Sequence, residues 1–258
     1  MSAIIRNFLK YKPLLEELVS RDVKIKYRRS VLGVLWTLLN PLLMMTVLSV
    51  VFSNLFKFDI ENFPLYLLCG QVIFNFFSEA TTNAMSAIIG NAALIKKVYV
   101  PKYMFVLSRI FSSFINLMAS CAALFLVMIA TRAELHWTLL LSVVPIGLLV
   151  IMALGVGMIL STIAVKFRDV LHLYSVLMTI LMYLSPVIYP VSILPDGLYE
   201  LVMLNPITSI LMMFRDTVIN NTVFSFQTFI ITAIEAGIFL FIGIKVFRKN
   251  QDEFVLNL

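Results

Sequence analysis

The chain has 258 residues, of which 61% are hydrophobic and 13% charged, and its formal net charge is +6. Soluble domains carry about 25% charged residues, so this composition excludes an ordinary water-soluble fold. The basic residues lie between apolar runs, which indicates membrane topology and contact with lipid headgroups rather than nucleic-acid binding.

The first 30 residues are basic and are predicted to form a cytoplasmic amphipathic segment. Pro13 suits the first position of a helix. Arg21, Lys24 and Arg28 lie on one stripe of this helix. Apolar residues recur at helical spacing on another stripe: Leu14, Leu15, Leu18, Val19, Val23 and Ile25. Such a helix either lies flat among lipid headgroups or docks a soluble partner, and both interpretations stay open.

Six apolar runs then follow, each long enough for the roughly 20 residues that cross a hydrocarbon core about 30 Å thick. The predicted spans are residues 31–56, 63–90, 104–131, 138–165, 170–191 and 224–247. The predicted fold class is therefore an all-α integral membrane protein with six transmembrane helices, forming a single domain over residues 1–258.

A shorter apolar stretch, residues 194–216, separates the last two predicted spans. It is interrupted by Asn205 and Pro206, and its apolar pieces are too short to cross the membrane. Irregular backbone at membrane depth must be buried in protein or line a cavity. We therefore predict two short half-helices that re-enter the outer leaflet.

Lysine and arginine are distributed unevenly between the two sides of the predicted bundle. Only Lys57, Arg132 and Arg215 fall on one side, and all other cations fall on the other. Because the basic side of a multi-pass protein is cytoplasmic, both termini, including the tail 248–258, are predicted to be cytoplasmic.

The sequence lacks the motifs of several catalytic classes. It has no GxxxxGK[ST] loop, no HExxH, no GxSxG and no His/Cys metal spacing, so no cofactor or metal site is predicted on this chain.

Glu79 and Glu235 are the two clear intramembrane carboxylates, and such residues are functional candidates. Alternatively, each lies near the outer end of a span or pairs with Arg109 or a hydroxyl group. The simplest interpretation is a conduit driven by a cytoplasmic partner, with an ion-coupled carrier as an alternative.

Four motifs in chain order resemble those of ABC-transporter permeases that export polysaccharides and polyol phosphates, such as O-antigen, capsule, rhamnan and teichoic acid. The first is residues 21–41, RDVKIKYRRSVLGVLWTLLNP. The second is residues 93–102, ALIKKVYVPK, and the third is KFRD at 166–169. The fourth is SPVIYP at 185–190, followed by NP at 205–206. The resemblance covers essentially the whole chain.

The resemblance implies a homodimer in a bacterial cytoplasmic membrane, paired with a separate ATP-binding subunit that holds ATP and magnesium. The implied cargo is a lipid-linked glycan, with a drug or a small lipid as the alternative. Loop 91–103 would dock on the ATP-binding subunit through Ile95, Lys96, Lys97, Val98, Pro101 and Lys102. The N-terminal helix would meet lipid headgroups through Arg21, Lys24, Lys26, Tyr27, Arg28 and Arg29.

The same resemblance implies roles for residues near the outer face and along the route of the cargo. The two half-helices would gate the exit, with Pro186, Pro190, Asn205 and Pro206 as outer gate residues. Arg168 and Asp169 form an inner turn, where they are expected to pair locally and to touch the ATP-binding subunit. Aromatic residues predicted to line the path, because aromatic faces adhere to sugars without strong specificity, are Trp36, Tyr66, Phe74, Phe77, Tyr183 and Tyr189.

Overall fold

The computed structural model describes residues 3–27, 30, 32–56 and 60–257. Within these residues all regular structure is helical, which confirms the predicted all-α class. The helices are α1 Ala3–Tyr27, α2 Trp36–Phe56, α3 Phe63–Met85, α4 Ala87–Gly90, α5 Ala92–Ile95, α6 Tyr103–Ala130, α7 Val143–Lys166, α8 Val170–Leu184, α9 Asp196–Met203, α10 Pro206–Val218, α11 Phe226–Asn250 and α12 Phe254–Asn257.

Three helical stretches are long and apolar enough to cross a membrane by themselves. They are Tyr103–Ala130, Trp137–Lys166, which adds a 3₁₀ turn to α7, and Phe226–Glu253. The bent pair α9 and α10 makes a fourth if it counts as one span, and α2 and α8 contribute shorter apolar helices. The structure thus has membrane-spanning candidates, and the count of six spans stays a prediction.

The fifth predicted span is shorter than its apolar run. Helix α8 ends at Leu184 rather than continuing to residue 191. The reason is Pro186, which disfavours helical geometry at the preceding residue, and Ser185 is indeed extended, with φ −94° and ψ 140°. The 15 residues of α8 rise about 22 Å, less than the thickness of a hydrocarbon core.

Two short helices occupy the predicted half-helix region, and they meet at an angle of 88°. Asn205 separates them, and its side-chain oxygen accepts a hydrogen bond from the Ile207 amide at 3.1 Å. Pro206 fills the first position of α10, where its missing amide hydrogen costs nothing. The Asn-Pro pair therefore both ends the first helix and starts the second.

Helices α7 and α11 pack closely because glycine residues lie where they cross. A Cβ atom on Gly155 of α7 would lie 2.3 Å from the Phe239 carbonyl carbon of α11. A Cβ on Gly243 would lie 2.3 Å from the Gly155 oxygen. Small residues let membrane helices approach backbone to backbone, and here they bring α7 and α11 together.

Helix α1 differs from the prediction at its start. It begins at Ala3, and Pro13 lies inside it rather than at its first position. An interior proline removes one backbone hydrogen bond, which an exposed helix tolerates when the freed carbonyl of residue 9 can be solvated. Leu15 and Leu18 are buried against the bundle, whereas Ile25 is 61% exposed, so only part of the predicted apolar stripe packs.

Candidate functional site: the inner loops, a polar cleft and the outer loop

The predicted docking loop forms a knuckle after α5. Lys96, Lys97 and Val98 are exposed, and Tyr99 is 95% exposed. Ile95 is buried and belongs to the hydrophobic core, so it is not available to a partner as the resemblance implied. Pro101 is half-buried, and its carbonyl accepts a hydrogen bond from the Met104 amide in the first turn of α6. The exposed part of the loop is therefore the stretch from residue 96 to residue 99.

Both ends of the docking loop, residues 91–103, are attached to other parts of the chain. At its start, Arg21 of α1 donates a hydrogen bond to the Asn91 side-chain oxygen at 2.9 Å. At its end, the Lys102 ammonium donates to the Gln251 carbonyl and lies 5.8 Å from the centre of the Phe254 ring. Lys102 thus faces the C-terminal segment, unlike the two exposed lysines before it.

The C-terminal segment also holds the turn between α7 and α8. Lys166 forms an ion pair with Glu253 at 2.8 Å and donates to the Asn250 side-chain oxygen at 2.9 Å. Phe254 is fully buried, and its ring meets that of Phe247 edge-on, with 5.2 Å between centroids. We call residues 250–254 the inner clasp, because they contact both the docking loop and the α7–α8 turn.

The inner turn itself does not contain the expected local pair. Arg168 and Asp169 are both exposed, and no ion pair joins them in the part of the chain that the structure describes. An exposed pair of this kind gains only about 0–1 kcal/mol, too little to fix two solvated side chains. Lys166 makes the charged contact of this turn instead.

The predicted headgroup cations of α1 divide into two groups. Lys24 is exposed, whereas Arg21 and Lys26 bind other parts of the protein. Arg28, Arg29 and the Tyr27 side chain lie outside the described residues.

A polar cleft lies where α1, α3 and α6 meet, with a cavity of about 390 Å³. In it, Lys26 forms an ion pair with Glu79 at 2.8 Å, and the Asn116 side chain donates to the same carboxylate oxygen at 2.7 Å. Arg109 lies 3.5 Å from Asp22, whose side chain is only 4% exposed. Glu79 therefore pairs with Lys26 and an amide, not with Arg109 or a hydroxyl as the sequence suggested.

The cleft continues along one face of α3. Asn75, Glu79 and Asn83 follow one another at intervals of four residues, so they lie on one stripe of the helix. Asn75 and Thr82 are exposed, and Asn83 donates a hydrogen bond to Ser113 of α6 at 3.1 Å. This polar stripe in an apolar helix is visible in the sequence, but the predicted path residues were all aromatic and did not include it.

The predicted outer gate is organised by Arg215 of α10. Its guanidinium donates to the carbonyls of Pro186 at 2.6 Å, Val187 at 3.0 Å and Tyr66 at 3.1 Å. It also lies 3.4 Å from the centre of the Tyr66 ring, a cation–π contact. We call residues 185–190 the outer loop. Arg215 fastens this loop to α3.

Further contacts complete the outer loop. The Asn205 side chain donates to the Ser185 hydroxyl at 2.9 Å, which connects the two predicted gate motifs. The Tyr66 hydroxyl donates to the Tyr189 carbonyl at 3.0 Å. Pro190 leads directly into the 3₁₀ turn Val191–Ile193. The predicted gate prolines and Asn205 thus lie in one connected structure. Arg215 holds this structure together, although the sequence predicted no role for it beyond that of a loop cation.

The aromatic residues predicted to line the path have different environments. Phe74 and Phe77 are each only 4% exposed and pack in the hydrophobic core, because they lie on the buried face of α3. Tyr66 is held under Arg215, and the Tyr189 hydroxyl donates to the Tyr183 carbonyl at 2.8 Å. Trp36 and Tyr183 are exposed on the protomer.

Comparison with known sequences identifies the family of this chain. The sequence profile of the ABC-2 type transporter family matches residues 13–219. The chain belongs to this family. It is therefore a membrane component of a transporter and not an enzyme, and the family implies an ATP-binding partner.

Similar proteins match over nearly their whole length. The O-antigen export system permease protein RfbA of Klebsiella pneumoniae is 27% identical, over 93% of each chain. The protein of the same description from Myxococcus xanthus is 28% identical over 98% of each chain. The polysialic acid transport protein KpsM of Escherichia coli is 24% identical over 93% of this chain and 95% of its own.

Proposed function

We propose that this chain is the transmembrane subunit of an ATP-driven exporter that moves a lipid-linked polysaccharide outward across the cytoplasmic membrane. The observation that carries the proposal is the end-to-end similarity to permeases described as exporting O-antigen and polysialic acid. Two copies of the chain pair with two ATP-binding subunits, which hold ATP and magnesium.

In this proposal, the ATP-binding subunit docks on the exposed knuckle of residues 96–99. Tyr99 supplies an apolar ring and the two lysines supply charge, a combination suited to a cleft with an acidic rim. The docking loop that carries the knuckle is attached to α1 through the Arg21–Asn91 hydrogen bond and to the inner clasp through Lys102. Because the clasp also holds Lys166, movement of the knuckle reaches α7 and α8 as well.

At the opposite end, the outer loop and the bent pair α9 and α10 border the exit. The tight Arg215 contacts keep the loop in one conformation relative to α3, so opening at the exit requires α9 and α10 to move with it. The lipid anchor of the cargo stays in the bilayer, while lipid headgroups surround α1 near Lys24.

The test is export by cells that lack the chromosomal copy and receive the chain together with its ATP-binding subunit. We expect polysaccharide at the cell surface with the native chain, and its accumulation inside with Lys96→Glu/Lys97→Glu. Tyr99→Ala should weaken export in the same way, because it removes the exposed ring. Lys96→Arg/Lys97→Arg, which keeps both charges at the same positions, is the matched control and should export normally.

Two results would contradict the proposal. Unchanged surface polysaccharide in cells without the chain would remove polysaccharide as the cargo, and resistance to a drug conferred by the chain would identify the alternative cargo. Transport driven by a proton gradient without ATP, and lost in Glu79→Gln or Glu235→Gln, would instead identify an ion-coupled carrier.

A further inference from the structure

The polar cleft between α1, α3 and α6 contains hydrogen-bonding groups that the protein itself does not satisfy. Three buried atoms lining it have no hydrogen-bond partner among the residues that the structure describes: Asp22 Oδ2, Arg109 Nε and Ser112 Oγ. The first two face each other at 3.5 Å, an ion pair that lacks hydrogen-bond geometry. Buried polar groups are normally paired, because an unpaired one loses its hydrogen bonds to water without replacement. Three such atoms around one cavity indicate a site that something else fills.

The charges of the cleft limit what that ligand can be. Asp22 and Glu79 face Arg109 and Lys26 across the cavity, and Arg21, outside the lining, pairs with the other oxygen of Asp22 at 2.9 Å. A phosphate mainly offers acceptors and would leave Asp22 Oδ2 unpaired, whereas a metal cation would leave Arg109 Nε unpaired. These opposite requirements favour a neutral ligand that carries both donors and acceptors.

The unsatisfied atoms also define the ligand's chemistry. Asp22 Oδ2 accepts, Arg109 Nε donates, and the Ser112 hydroxyl does both. A ligand that satisfies all three must carry both donors and acceptors close together. Neighbouring hydroxyl groups on a sugar ring have this property, since each hydroxyl donates once and accepts twice.

The cleft is open at one end and closed at the other. The side chains of Lys26 and Glu79 are 46% and 32% exposed and stand at the opening. The Asp22 side chain, 4% exposed, lies at the floor. From the opening, the polar stripe of α3 continues toward Asn75. A ligand can therefore reach the floor from the polar face of the helix.

We infer that this cleft binds an uncharged sugar unit through its hydroxyl groups. The inference rests on the proposed function, because the cargo supplies the sugar, and it assigns to Asp22, Arg109 and Ser112 direct contact with the glycan.

The test uses the full chain in inside-out membrane vesicles, with Cys69 and Cys121 changed to alanine and Ser112→Cys added as the only thiol. The labelling rate by a water-soluble maleimide is measured with the methyl glycosides of glucose, galactose, mannose and rhamnose, each tested separately. We expect at least one glycoside to slow labelling about tenfold at saturation, because the bound sugar covers the thiol, and hydrogen bonds to the charged groups set the concentration needed. Inorganic phosphate should have no effect.

Two variants make the result specific. Ser175→Cys, on the exposed face of α8, is the matched control and should label at the same rate with or without glycoside. Asp22→Asn, added to Ser112→Cys, keeps the shape of the side chain but weakens the acceptor. It should abolish protection by sugar, and continued labelling of the thiol without sugar shows that the cleft is still accessible.

Three outcomes would overturn the inference. They are a Ser112→Cys thiol that does not label at all, labelling that no glycoside slows, and protection by phosphate equal to that by sugar. The first means a closed cavity, the second a cleft that holds only water, and the third an anion site. Labelling needs neither ATP nor the partner, so it is independent of the export experiment. If cells export polysaccharide but no glycoside protects the thiol, only the proposed sugar site is refuted. If a glycoside protects the thiol but cells export no polysaccharide, the proposed function is refuted and the sugar site stands.

Discussion

The inner and outer ends of the bundle are held together by different kinds of contact. At the outer end, one buried guanidinium donates to three backbone carbonyls and rests on a tyrosine ring. At the inner end, the clasp uses an ion pair whose side chains are 35% and 56% exposed. Buried, fully directed hydrogen bonds resist rearrangement, whereas solvated ion pairs exchange readily. The inner end is therefore the one suited to change shape when a partner moves.

Removing Arg215 should have the largest effect. Arg215→Met leaves the carbonyls of Pro186 and Val187 buried without their donor, so we expect about 3 kcal/mol or more of lost stability, from about 1–3 kcal/mol per unsatisfied group. The measurement is thermal unfolding of the purified chain in detergent. Arg215→Lys should recover only part of the loss, since one ammonium cannot match the planar geometry of three donors. Melting equal to that of the native chain would show that the outer loop is held by something else.

Gly70 tests the same region without replacing a charged residue. A Cβ atom there would lie 2.8 Å from the Val187 oxygen and 2.9 Å from Arg215 Nη2. Gly70→Ala should therefore push the outer loop away from α3 and destabilise the chain by about 1–3 kcal/mol. Gly147→Ala is the matched control, because a Cβ atom at Gly147 would meet nothing within 4 Å, and this variant should melt like the native chain. Equal effects of the two substitutions would contradict a tight contact at Gly70.

Breaking the ion pair of the inner clasp should lower stability less than the two preceding changes do. It should instead weaken the coupling of ATP hydrolysis to export. Lys166→Glu removes an exposed ion pair, so we expect less than about 1 kcal/mol of lost stability. We also expect ATP hydrolysis by the assembled transporter to continue while export falls, because the α7–α8 turn no longer follows the docking loop. The double change Lys166→Glu/Glu253→Lys should restore export by rebuilding the pair with reversed charges. Failure of the double change to restore export, with both single variants folded, would exclude a role for the pair in coupling.

Much of the fold was predictable because apolar runs of the right length have few alternatives. The all-α class, the Asn-Pro break and the two short helices followed from run length and proline chemistry, and the structure has a helix in each predicted span. The early end of α8 could also have been read from Pro186, which restricts the residue before it. Helix α1 was harder, because an interior Pro13 is tolerated only where its surroundings allow it.

The candidate site was less predictable, because its members are distant in the chain. Arg215 reaches Tyr66 and Pro186, and Lys26 reaches Glu79, across intervals that no local pattern connects. Phe74 and Phe77 could not be assigned to core or path from composition alone, since both environments accept an aromatic ring. Burial decided that they belong to the core.

The sequence by itself determined that this chain is a helical membrane protein, and it predicts that most of the positive charge lies on one side. Those properties depend on the transfer of residues from water to hydrocarbon, which adds up along a run and needs no tertiary contact. Only the tertiary structure decided which polar residues meet: Arg215 with the outer loop, Lys102 and Lys166 with the clasp, and Asp22 with Arg109. Hydrogen bonds and ion pairs depend on distance and direction in space, and these exist only once the helices are packed.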